Sequence, residues 1–171
     1  MTVYHEEKLR DVEWPPPDTI RDETTIALSR VTELQRQLAT WLLLHEAVDR
    51  DDSAAGGALR VWVKLSARLA RIFTVSGCDA LAARAIYLAQ VDFPALAAAT
   101  GGPSLGLDGL PLALAETEAP EALEAAVAVV GNVIALLVTF IGEELALRTI
   151  RDVWPGAAVL AFEQAGQEAS S

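Results

Sequence analysis

The stretch AAVAVVGNVIALLVTFIG, Ala125 to Gly142, runs for eighteen residues without a formal charge, and its reading decides the fold. As a helix it would be about 27 Å long, a little short of a hydrocarbon layer of about 30 Å. Length leaves the choice between membrane and core open, and the flanks decide it. Glu116, Glu118, Glu121 and Glu124 precede the stretch, and Glu143 and Glu144 follow it directly, with Arg148 and Arg151 further on. A spanning helix carries a Lys/Arg bias on one side and aromatic residues at the interfaces, whereas these near flanks are acidic at both ends. Alanines, Gly131, Asn132 and Thr139 also dilute the apolar run. We therefore expect no membrane segment, but a helix apolar on all sides at the centre of a helical fold.

Within that helix Ala128, Ala135, Gly142 and Thr149 recur every seven residues, interleaved with Gly131, Val138 and Leu145. Small residues let two backbones approach closely. Ala128, Gly131, Asn132, Ala135 and Gly142 thus outline a seam, either inside the core or between two copies of the chain. The Asn132 amide would need a partner there, and a polar group in such a seam can set register.

The rest of the chain agrees with a helical reading. Of the 171 residues 52% are apolar, and the excess is Ala and Leu, which lose little side-chain freedom in a helix. No alternating strand pattern and no internal repeat stand out. Net charge is −11, with a pI near 4.5, a surface that repels nucleic acid and anionic lipid. A single cysteine, Cys78, fits a reducing compartment. The opening residues MTVYHEEKLRDVEW carry no apolar signal core, so a cytoplasmic location is the expectation.

The expected organisation is an all-α, single-domain helical bundle over residues 22–156, with about four main helices and a long ordered connection before the last. Residues 1–21 end in WPPPD and read as an extended arm, because successive prolines favour polyproline geometry. A first helix should run from Asp22 to Val48, capped by Asp22 or Thr24, with Leu34, Leu38, Trp41, Leu42 and His45 along its apolar stripe. DRDDSAAGG reads as the loop that ends it. A second helix is expected over about 58–75, burying Trp62, Leu65, Leu69 and Ile72, with SGCD as a break at Gly77. A third should cover 79–90 and stop before Phe93-Pro94. Residues 101–118 form the connection, and Pro120 opens a last helix to about 151, with Glu121 and Glu124 near its positive end. Residues 157–171 read as a tail. The segment TFIGEELALRTIRDVWP, ending the last helix at Trp154-Pro155-Gly156, has the look of a motif.

Residue types that carry chemistry are sparse. His45-Glu46 invites comparison with the phosphoacceptor histidine of two-component kinases, where a neighbouring acid assists phosphoryl transfer. The surrounding residues lack that signature, and a hydrogen-bonded structural histidine is the plainer reading. No Glu-x-x-His pair or cysteine cluster offers a metal site, and GGPSLGLDG lacks the lysine of a nucleotide loop. No cofactor is expected. Arg60, Lys64, Arg68 and Arg71, spaced 4, 4 and 3, line one helix face. They serve either to pair with acids of the same fold or to dock an acidic partner segment. The expectation is a non-enzymatic regulatory or adaptor protein, a homodimer acting through protein–protein contacts. The alternatives are phosphotransfer by His45, or binding of a small apolar ligand between Trp41, Trp62 and Trp154.

Overall fold

A computed structural model describes residues 31–47, 53–100 and 106–158 of the chain. All belong to the unit Val31–Ser171. The expected arm over 1–21, the caps Asp22 and Thr24, and the tail from 159 lie outside the described residues.

The fold is all-α. Among the described residues there are seven α-helices and no strand: α1 (Glu33–Glu46), α2 (Ala54–Leu69), α3 (Val75–Ala89), α4 (Ala97–Thr100), α5 (Leu110–Ala113), α6 (Ala119–Ile141) and α7 (Glu143–Val153). Short 3₁₀ turns lie at Pro94–Leu96, Leu107–Gly109 and Pro155–Ala157. The stretch that decided the reading forms most of α6. Helices α1, α2 and α3 all pack on α6, and α7 packs on α6 and α2. Of the most apolar window of α6, 61% is buried inside the fold, as a core helix requires. Val129, Ile134, Leu136 and Leu137 are buried, and so are Gly131 and Asn132. Gly131 marks a close approach: a Cβ placed there would come within 2.9 Å of Val31 Cγ1.

Local chemistry moves several boundaries from their expected places. α1 starts at Glu33 rather than continuing from Asp22, because Thr32 is extended and forms a capping box with Gln35. Thr32 Oγ1 accepts from the Gln35 amide at 3.2 Å, and Gln35 Oε1 accepts from the Thr32 amide at 3.0 Å. α2 begins at Ala54, inside the stretch read as loop, because Ser53 Oγ accepts the Gly56 amide at 3.1 Å. It ends at Leu69, not Val75, which leaves Ile72 47% exposed instead of buried. Thr74 then caps α3 by accepting from the Gly77 amide, so SGCD is a first turn and not a break.

The largest departure concerns the last helix. The run read as one helix over about 120–151 divides at Gly142, which caps the end of α6 and the start of α7. Its φ of 84° and ψ of 156° lie where only glycine is at ease. Its amide donates to the Val138 carbonyl and its carbonyl accepts from Ala146, each at 3.0 Å, so both helix ends close on one residue. Gly142 is therefore an exposed corner and not part of the core of the chain.

A Cβ at Gly142 would have nothing within 4 Å, so substitution there tests backbone strain alone. Gly142→Ala should lower unfolding free energy by about 1–3 kcal/mol. A urea titration with a lower midpoint and an unchanged m-value checks this, and an unchanged midpoint contradicts it.

Candidate functional site

The sequence stripe of α1 is rotated relative to its packing. Leu38, Ala39, Leu42, Leu43 and Glu46 face inward, while His45 is exposed. The charged residue that enters the core is thus Glu46, only 4% exposed, and not its neighbour. A buried carboxylate is costly without partners. Glu46 Oε1 accepts from Lys64 Nζ at 2.7 Å and from Trp154 Nε1 at 2.7 Å. Its main-chain carbonyl accepts from Arg60 Nε at 2.9 Å, satisfying one of the free carbonyls at the negative end of α1. Carboxylate, ammonium and indole thereby join α1, α2 and the turn after α7.

Burial on its own would raise the Glu46 carboxyl. The hydrogen bonds from Lys64 and Trp154, then the charges of Lys64 and His45, outweigh it and hold the carboxyl below its ordinary value of 4.5. Glu46 stays ionised at neutral pH and keeps both donors.

The basic stripe is largely engaged inside the fold. Lys64 pairs with Glu46, Arg60 reaches the Glu46 carbonyl, and Arg68 pairs with Asp152. Arg71 lies beyond the end of α2 and is exposed. Of the stripe, Arg60 closes a helix end, Lys64 and Arg68 pair with carboxylates, and Arg71 stands apart. His45 stacks on Trp41, ring centroids 4.7 Å apart and 12° from parallel. The acid beside it in sequence points the other way, into the core.

The three tryptophans proposed as a ligand lining have different surroundings. Trp154 is buried on Glu46, and Trp41 covers His45 on one side and Gly156 on another. Trp62 borders a void of about 10 Å³. Of the seam residues, Gly131 and Asn132 are buried within the chain, and Ala128 and Ala135 are half-buried. Asn132 Nδ2 donates to the Ala85 carbonyl at 3.3 Å across the α3–α6 contact, and Oδ1 has no partner. The Cys78 thiol is buried, and burial followed by the Asp79 charge pushes its pKa up.

One concavity large enough for another molecule was not expected. A groove of about 470 Å³ opens between the end of α1, the start of α2, α5 and the start of α6. Leu43, Leu44, Ala54, Leu114, Ala122 and Leu123 supply most of its apolar wall. Leu44 is 65% exposed and Leu123 38%, while Leu112 on α5, beside the lining residue Pro111, is 79% exposed. Its polar side chains are hydroxyls only, and that of Ser53 already caps α2. Among the described residues the groove thus offers apolar cover and, besides these hydroxyls, no side chain suited to general-base or metal-ligand chemistry. Among the described residues no group of three or more His, Cys, Asp or Glu is placed to hold a metal ion. The groove was invisible in the sequence because its walls come from two segments more than fifty residues apart. Only the surplus of leucine over 101–118 hinted at it.

Two outcomes follow. Because the Glu46 carboxyl is depressed on folding, its contribution to stability is complete above the ordinary value of 4.5 and fades as pH falls through the lower folded value. The gap in urea midpoint between the wild type and Glu46→Gln should accordingly be widest near neutrality and shrink below about pH 4; a gap independent of pH contradicts it. Cys78 should react with iodoacetamide far more slowly in the folded protein than in urea, and equal rates would show the thiol to be accessible.

Compared with known proteins, the chain matches no family model, no curated protein and no solved structure at a significant level.

Proposed function

We propose that the protein is a non-enzymatic adaptor or regulator, a helical bundle that holds a segment of another protein in the groove beside α1, α5 and α6. The groove carries this reading. It is apolar, it is ringed by exposed leucines, and contiguous exposed apolar surface of this kind marks an interaction site more often than it is left bare. A small-ligand site would need polar groups converging on the ligand to fix its orientation, and the groove supplies two hydroxyl residues, Ser53 and Thr117. Phosphotransfer by His45 would lack its assisting acid, since Glu46 is committed to Lys64 and Trp154. Docking of an acidic segment on the stripe would rest on Arg71 with little help from the other three.

Affinity capture from the native cell, followed by quantitative mass spectrometry, tests the reading. Leu44→Asp and Leu123→Asp alter exposed positions and should each remove the same specific partner, while Arg71→Glu keeps it. A captured set indifferent to both leucine changes overturns the groove.

A homodimer remains a second reading, favoured by Phe140, 64% exposed, and Leu145, 42% exposed, on either side of the Gly142 corner. Light scattering at micromolar concentration should then give a dimer that Phe140→Asp dissociates. A wild-type monomer removes this reading and leaves the groove untouched.

A further inference from the structure

The wall of the groove has a sign. From Ala85 to Leu147 the chain holds eight acids and no Lys or Arg, and this span supplies the α5 and α6 sides. Glu116 and Glu118 bracket the lining residue Thr117, and Glu121 and Glu124 stand on the first turns of α6. All four are exposed, and none has a salt-bridge partner among the described residues. On the opposite wall the bases of α2 are turned to Glu46 and Asp152. Water around the groove therefore meets negative charge over an apolar floor.

We infer that the groove takes a cationic amphipathic helix from a partner protein, with its aliphatic side chains on the floor and its Lys or Arg beside Glu116 and Glu118. This rests on the groove being the binding surface. Three features choose the occupant. No free strand edge exists among the described residues for an extended peptide to extend, and no aromatic residue lines the groove to receive a proline-rich one. Helix-in-groove recognition, by side chains at i, i+3 or i+4 and i+7, needs only the apolar floor that is present. A second copy of the chain is disfavoured, because a two-fold contact would set one acidic wall against another in a protein of net charge −11.

Fluorescence anisotropy with model peptides of about eighteen residues, long enough to hold a helix on binding, provides the test. One peptide carries leucines at helical spacing with lysines on the other face; a second replaces every lysine by glutamate. The leucine–lysine peptide should bind the full chain at least about tenfold more tightly than the leucine–glutamate one, and more weakly as salt rises. Glu116→Lys with Glu118→Lys should narrow or invert that preference, and Leu44→Asp with Leu123→Asp should abolish binding while the circular dichroism stays unchanged. Equal binding of both peptides, lost in the leucine variant, overturns the cationic helix and leaves the groove standing. Lysine-peptide binding that the leucine variant does not affect is general attraction to an acidic protein and overturns both. Binding of neither peptide, or a dimer of the chain that the leucine variant dissociates, overturns the cationic helix.

Discussion

From Ala125 to Leu137 α6 is apolar on nearly every face, and burying that stretch sets the condition for the other described helices. Its burial needs cover from several directions at once, and α1, α2 and α3 supply it. The covering helices are less apolar overall and turn a side inward, Leu38, Leu42 and Leu43 on α1 and Val61, Leu65 and Leu69 on α2. Close approach is helped by small residues, with Gly131 against Val31 the tightest instance. The Asn132 amide is the one polar side chain of α6 drawn into this packing, and it ties α6 to α3 through the Ala85 carbonyl.

A second condition comes from the end of α1. The helix stops with its negative end beside a glutamate on its buried side, so negative charge accumulates in a poorly solvated place. Arg60 and Lys64 meet that charge from α2, and Trp154 adds an uncharged donor from the far end of the chain. A row of four cations that looks like a docking surface in sequence is for the most part an internal counterweight. Charge free of a salt bridge among the described residues is found elsewhere, in the glutamates at the start of α6.

The helical class and the buried role of Ala125–Gly142 were legible in the sequence, because apolar periodicity and acidic flanks are local signals. Boundaries were less so. Thr32, Ser53 and Thr74 each cap a helix with a hydroxyl, whereas periodicity alone puts the starts at Asp22, about residue 58 and residue 79. Gly142 was counted into a heptad, although spacing says nothing about the sign of φ. His45 and Glu46 exchanged roles for a subtler reason: adjacent helical positions differ by 100°, and a stripe two residues wide fits either phase. The groove and the Glu46–Trp154 bond depend on residues brought together only by the complete fold, so no window of sequence contains them.

The bond between Trp154 and Glu46 joins residues 108 positions apart. Contacts that close so long a loop form after the local ones, since the entropy of closure must first be met by structure in between. During synthesis the end of α1 emerges early, with Lys64 soon behind it, but the indole donor arrives only when nearly all of the helical region has left the ribosome. Until then Glu46 holds a charge with half of its native partners. The end of α1 thus remains unfinished until Trp154 appears, and a nascent fragment lacking residue 154 carries an incomplete core junction however many of its helices have formed.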